Sequence, residues 1–382
     1  MKPLHATRIL DLTRLLPGAV CTMLLHDLGA EIIKIEDPHG GDYARWMPPL
    51  VDGLGLFFRS SNRGKKSVVI DLKSEAGQAI LHKLVATADV LIEGFRPGVT
   101  ARLGADYETL RAINPRLVYC SLSGWGQSGP YAQVSGHDLN YIARNGLLGA
   151  EQHPRTPGSQ VADVAGSYVA VMGVLAALLK RHQTGVGDTI DVALAEAAMP
   201  LAMAAWVEAN AQHADSSFIS LRGESACYNV YRSADDQPLA LGALEPKFWA
   251  NFCQAVDKPE WIEQHRDRKR QPKLIKAVAA LFKTKTAPEW AATLEDADCC
   301  FTRVIAPGEL LNDSHIQARG MVGVTENGIP WMRSPIRLSD DAFELREAPA
   351  YGEHTRELLA EIGYAHGEIE GLIGAGVIRQ AP

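Results

Sequence analysis

The stretch "SGHDLNYIARNG", residues 135–146, sets a histidine beside an aspartate, His137 and Asp138, in an otherwise bland run. A second aspartate, Asp163, opens the apolar run "ADVAGSYVAVMG" further along. These residue types suit proton transfer. An imidazole works near neutral pH without a large pKa shift, and a carboxylate can join it when its site is partly desolvated. The types alone leave other roles open. His137 also reads as a hydrogen-bonded histidine at a helix start. Asp163 also reads as a helix N-cap, accepting from free N–H groups. The two readings of Asp163 are compatible: a helix start is expected to lower its pKa and to offer oxyanion donors nearby. Glu245, in "LGALEPKFW", precedes a proline and reads equally as a helix-start glutamate.

Basic residues stand in two loops. "SNRGKKS" places Arg63, Lys65 and Lys66 between a polar turn and a strand, and "EGFRPGV" places Arg96 at a strand's carboxyl end. Such positions suit phosphates. Judged one by one, each is equally a solvated turn.

The elements that position these residues follow from pattern. "RILDL", "AEIIKIE", "KSVVIDL", "DVLIEGF", "RLVYCSLSG" and "GDTIDVAL" read as strands. Helical patterns fall between them, at Leu16–Leu28, in "SEAGQAILHKLVATA" and from about Gly166 to Lys180. The alternation predicts an α/β fold with a parallel sheet covered on both faces, and ligands beyond the carboxyl ends of its strands. "AEAAMPLAMAAWVEANAQ" reads as one further apolar helix. "ACYNVYRSADDQPLALGAL" reads as a hairpin turning at Asp235-Asp236. We expect a larger domain from residues 1–200, a smaller α+β domain at 222–310, and the return of 331–382 to the larger one, with a helix at Thr355–Ile362.

The 382 residues fit two domains, and nothing in a net charge of −7 suggests a nucleic-acid surface. An anionic ligand therefore needs a local basic patch. The six cysteines show no metal-ligand spacing, and no metal or redox cofactor is implied. With no signal-peptide run at the N-terminus and no apolar stretch read as long enough to span a membrane, a cytoplasmic protein with reduced thiols is expected.

One resemblance ties these pieces together. "LPGAVCTMLLHDLGAEIIKIEDPHGGDYAR", "NRGKKSVVIDLKSEAG", "ADVLIEGFRPGVTARLG", "NPRLVYCSLSGWGQSGPYA", "GHDLNYIARNGLLG" and "LGALEPKFW" resemble the class III CoA-transferase (CaiB/BaiF) superfamily. "GHDLNY" and "EPKF" resemble its α-methylacyl-CoA racemase branch rather than its transferases. The resemblance implies a Rossmann-like large domain, an interlocked homodimer and an acyl-CoA substrate, with no cofactor beyond its coenzyme A moiety. It implies that His137 and Asp163 exchange the α-proton on opposite faces of the carbon, with Glu245 orienting and charging His137. It implies that Arg63, Lys65, Lys66, Arg96, Asp138 and Tyr141 hold the CoA thioester, with capping as the alternative for Asp138. In the transferase branch Asp163 would instead be a nucleophile. Three departures stand out: Asp37 replaces an arginine expected near the adenine, Ser167 and Tyr168 replace glycines and would narrow the acyl pocket, and "RGESACY" changes the loop over the acyl group.

Overall fold

The computed structural model describes residues 2–151, 154–211, 221–339 and 343–381. It divides into two units, described separately. The larger takes the described parts of 1–150, 154–204 and 314–382; the smaller takes those of 151–153 and 205–313. The short hairpin Val322–Val324/Pro330–Met332 belongs to the larger unit. Part of the connection expected near 200–222 falls on residues 212–220, outside the described residues.

A seven-stranded sheet organises the larger unit. Its order is Ile378–Arg379, Lys66–Ile70, Glu31–Glu36, Arg8–Asp11, Val90–Glu93, Val118–Ser123, Thr189–Ala193. Successive side chains of a strand point to opposite faces, and here both faces are apolar because both are covered. Ile9 and Ile32 pack with Leu24 and Leu25 of helix Leu15–Asp27 and with Val171 and Val174 of helix Val161–Thr184. Leu10 and Ile33 pack on the other face with Ile80, Leu81 and Leu84 of helix Glu75–Val85 and with Leu358 and Leu359.

The sheet corrects the all-parallel expectation at one edge. Ile378–Arg379 runs antiparallel to Lys66–Ile70, with Ile378 opposite Ile70. It arrives from the helix pair Thr355–Glu361 and His366–Gly374 rather than from a βαβ crossover. From the first strand the chain moves outward to Glu31–Glu36 and Lys66–Ile70, then returns to Val90–Glu93 on the other flank. This reversal opens a crevice beyond the carboxyl ends of Arg8–Asp11 and Val90–Glu93, where ligands of doubly wound sheets bind.

Two helices differ from expectation. Val161–Thr184 extends beyond 166–180 at both ends and, by length and composition alone, is long and apolar enough to cross a membrane. In the fold it packs into the core through Ala170, Val171, Val174 and Ala177. The apolar run after residue 194 is three pieces, Leu194–Ala197, Met199–Ala202 and Met203–Asn210. Pro200 lacks the N–H that a continuous helix needs.

The smaller unit is an antiparallel sheet, Phe301–Arg303, Pro238–Gly242 and Tyr228–Arg232, with helices Pro246–Ala255, Gln271–Phe282 and Ala287–Leu294. Trp249, Phe252, Phe282 and Trp290 fill its core. The hairpin turns where Asp236 takes a left-handed φ of 58°. All six cysteines are free; five are buried and Cys300 is exposed.

Candidate active site

His137 is the N-cap residue of helix Asp138–Arg144 and is exposed. Its backbone N–H donates to Asn140 Oδ1 at 3.0 Å. The preceding Gly136 has no room for a side chain, since a Cβ there would lie 2.8 Å from a ring carbon of Tyr141. The Tyr141 hydroxyl donates to the Gly136 carbonyl at 2.6 Å, and its ring meets Trp125 edge-on at 5.0 Å. Tyr141 thus fixes the backbone that presents His137.

Asp163 is the third residue of helix Val161–Thr184, not its N-cap; Gln160 takes the cap position and makes no side-chain cap bond. The capping comes from elsewhere. Asp138 Oδ1 accepts from the N–H of Ala162 at 2.6 Å and of Asp163 at 3.1 Å. One carboxylate therefore caps the helix that carries the other, and ties the His137 segment to the Asp163 backbone. Asp138 is buried and is not among the residues lining the cavity described next.

This arrangement reverses the expected pKa. Burial first, then the charge of Asp138, pushes the Asp163 carboxyl up to about 6, against a smaller opposite pull from His137. The helix start does not prevail, because its nearest N–H groups are already engaged by Asp138. For the same reason the N–H groups of Ala162 and Asp163 are not free oxyanion donors. Burial and the neighbouring Asp163 also push the Tyr141 phenol up to about 12.

His137, Asp163 and Tyr141 line one cavity of about 550 Å³ at the crevice. Its walls are mostly apolar, with Leu15, Leu16, Phe57, Trp125, Val134 and Leu194 among them. Arg96, exposed, adds a cation and donates to Ser135 Oγ at 2.9 Å. Of the residues named from sequence, these four come together.

The other basic residues do not. Arg63 is buried and meets both oxygens of Asp27 at 2.6 Å. Lys65 is buried and donates to Thr22 Oγ1 at 2.6 Å and Asn62 Oδ1 at 2.7 Å, with Asp11 at 3.3 Å. Burial pushes its ammonium down to about 8. Lys66 pairs with Glu31 at 3.1 Å and Glu357 at 2.7 Å. None of the three lines the cavity, and each stands in an ion pair within the larger unit.

Sequence reading missed a second cavity of about 530 Å³ beside the first, which shares Arg14 and Phe95 with it. Ile35, Leu72, Val99 and Leu103 give it apolar walls, Arg14, Lys73 and Arg102 give it cations, and Glu36, Asp37 and Asp71 give it carboxylates. Among the described residues, Lys73 and Arg102 are in no ion pair. Lys73 follows the end of strand Lys66–Ile70, so the strand-end rule that flags Arg96 would have flagged it too. Asp37 lines this cavity and pairs with Arg14. Ser167 and Tyr168 line neither cavity; Ser167 is buried, and its Oγ lies 2.8 Å from the carbonyls of both Pro17 and Asp163. Glu245 stands in the smaller unit, exposed, as the N-cap residue of helix Pro246–Ala255.

A doubly wound sheet with a histidine and a desolvated carboxylate on one apolar cavity at its switch point defines a fold and a kind of site. The family model for CoA-transferase family III matches residues 4–355, and the chain belongs to that family. Alpha-methylacyl-CoA racemase of Homo sapiens is 33% identical over 376 residues, covering 96% of this chain and 95% of the relative. Succinyl-CoA:glutarate CoA-transferase of Mus musculus is also 33% identical, over 402 residues, covering 100% of this chain and 91% of the relative. Among solved structures, a CAIB/BAIF family protein from Brucella suis superposes with a TM-score of 0.82 at 29% identity, covering 94% of this chain and 99% of that one.

Proposed function

We propose that this protein is an α-methylacyl-CoA racemase or epimerase. The observation that carries the reading is the presence of His137 and Asp163 on one apolar cavity, with Asp163 pushed up to about 6. Inversion of a carbon next to a thioester needs one group to take the α-proton and another to return it on the opposite face. A carboxylate of raised pKa is a stronger base than an ordinary one and still ionised at neutral pH. In one direction Asp163 takes the proton, the thioester passes to its enolate, and the imidazolium of His137 delivers a proton to the other face. In the reverse direction the roles exchange.

The two adjoining cavities offer separate places for the two ends of an acyl-CoA. The acyl thioester would occupy the first, and the charged nucleotide end the second, near Lys73 and Arg102. No cofactor beyond the coenzyme A moiety enters this scheme. We further propose a homodimer of the interlocked type. Tyr168, Met172 and Leu179 leave an exposed apolar stripe along helix Val161–Thr184, which a second copy would cover. A monomer seen by solution scattering would overturn that part.

The equal identity to a succinyl-CoA:glutarate CoA-transferase keeps a second reading in play. There the Asp163 carboxylate attacks the thioester carbonyl, forming an anhydride and releasing CoA thiolate, which attacks the aspartyl carbonyl to give an aspartyl-CoA thioester and free the first acid; the acceptor carboxylate then runs the two steps in reverse, leaving as its CoA thioester and restoring Asp163. One incubation separates the two. A 2-methylacyl-CoA in deuterated water, with no acceptor acid, gains deuterium at the α-carbon under the racemase reading. Acyl exchange with an added acid, without deuterium uptake, would replace that reading by the transferase.

A further inference from the structure

The loop between the first strand and helix Leu15–Asp27 lies where the two cavities meet. Arg14 lines both, and Thr13, Leu15 and Leu16 line the first. At its end, as the first residue of the helix, Leu15 has a φ of 60°, the left-handed region that a bulky side chain rarely enters. Such a residue persists only where its surroundings over-determine it, and such residues gather at functional sites.

The surroundings here are an array of buried charges. Asp11 Oδ1 accepts from the N–H of Thr13 at 2.9 Å and from its hydroxyl at 2.5 Å. Lys34 donates to the Thr13 carbonyl at 2.9 Å. Asp42 Oδ1 accepts from the N–H of Leu15 itself at 3.1 Å, and its other oxygen pairs with Lys34 at 2.8 Å. All three charged residues are buried. Asp42 is steadied in turn, because Oδ1 also accepts from Ala44 at 3.0 Å and the adjoining Arg45 is clamped by Glu36. Gly18 completes the cage, since a Cβ there would fall 1.9 Å from Thr13 Oγ1.

A network serving stability alone would have no reason to hold a leucine in a conformation that glycine adopts freely. We propose that Asp42 is a positioning residue of the ligand site: with Lys34 and Asp11 it holds Leu15 left-handed, and so sets the wall where the acyl and nucleotide chambers join. The inference rests on the acyl-CoA reading of those chambers for its ligand, but not for its conformational claim.

The test is a cycle of wild type, Asp42→Ala, Leu15→Gly and the double variant, with Asp42→Asn as the conservative member. CoA binding is read by calorimetry and stability by denaturant unfolding. Asp42→Ala should weaken CoA binding about tenfold or more, and Asp42→Asn, which keeps an acceptor for the Leu15 N–H, should weaken it less. In the Leu15→Gly background the same Asp42→Ala change should cost little binding, because glycine needs no anchor at that φ, while the unfolding midpoint stays low for loss of the nearer of the two carboxylates that pair with Lys34. Full CoA binding by a folded Asp42→Ala protein, or an equal loss in both backgrounds, would overturn the proposal. Should Asp42→Ala not fold, Asp42→Asn replaces it in the cycle with the same criteria. Failure of the wild type to bind CoA would instead count against the acyl-CoA reading. The conformational claim would then be judged by stability: Asp42→Ala must destabilise the Leu15→Gly protein less than the wild type, and equal destabilisation overturns it.

Discussion

Asp11 and Asp163 are both desolvated carboxylates of the larger unit, yet their surroundings drive them in opposite directions. For Asp11 burial pushes the pKa up, but Lys34, Lys65 and the donors of Thr13 more than offset it, and the carboxyl lies below its ordinary value. For Asp163 burial acts the same way, and the next neighbour is another carboxylate, Asp138, so the carboxyl rises to about 6. The first group has every partner supplied by the protein and nothing left for a ligand. The second keeps an unmet demand for a proton, on the wall of a cavity.

The largest effect should come from the demanding group. Asp163→Asn is expected to lower α-proton exchange by roughly 10²- to 10⁴-fold. Mass spectrometry of the "VADVAG" peptide, after hydroxylamine or borohydride quenching of the wild type during turnover, should find no adduct; a CoA-dependent adduct would promote the transferase. The same variant should gain stability at pH 7. A raised carboxyl pKa means the unfolded chain ionises first as pH rises, so the folded state loses stability between about pH 4 and 6. Removing that titration should therefore raise the melting temperature above pH 6 and leave it nearly unchanged below pH 4.

The satisfied cluster should break differently. Asp11→Ala strands the buried Lys65 and removes one of two partners from Lys34, and should cost about 3–5 kcal/mol of unfolding free energy. A loss under 1 kcal/mol would show that water reaches this cluster and would blur the contrast. His137→Ala should remove about a hundredfold of exchange from one enantiomer and leave CoA binding nearly intact. In the wild type, the exchange that uses Asp163 as base should fall about tenfold between pH 7 and pH 5, as a group of pKa about 6 protonates. The smallest effect belongs to Lys66, whose partners are partly exposed: Lys66→Ala should cost about 1 kcal/mol or less and leave CoA affinity unchanged. A tenfold loss of CoA affinity would return Lys66 to the phosphate site.

The same contrast separates what the sequence made legible from what it hid. The strands from Arg8 to Ala193 could be read because apolar, β-branched runs bounded by turns are local signals. The edge strand Ile378–Arg379 is two residues long and is defined by its partner. His137 and Asp163 could be singled out by type and by resemblance. That Asp138 caps the helix of Asp163 could not, because the bond joins residues far apart in the chain. Lys65 and Lys66 are adjacent and look alike on paper, yet one is buried against Asp11, Thr22 and Asn62 and the other bridges two partly exposed glutamates. Residue type gave the charge; only the packing says what neutralises it. Asp37, read as a gap in the nucleotide pocket, proves to be the partner of Arg14.

The edge strand has a consequence for how the molecule is made. Lys66–Ile70 is synthesised before the smaller unit, and its antiparallel neighbour Ile378–Arg379 after it. Between them the whole of the smaller unit emerges, most of it in one stretch with a core of its own. Throughout that interval the nascent sheet carries a row of unpaired N–H and C=O groups along Lys66–Ile70, open to other chains. The edge of Lys66–Ile70 therefore stays open until Ile378–Arg379 has been made, and chains that stop before it are the ones that should recruit chaperones.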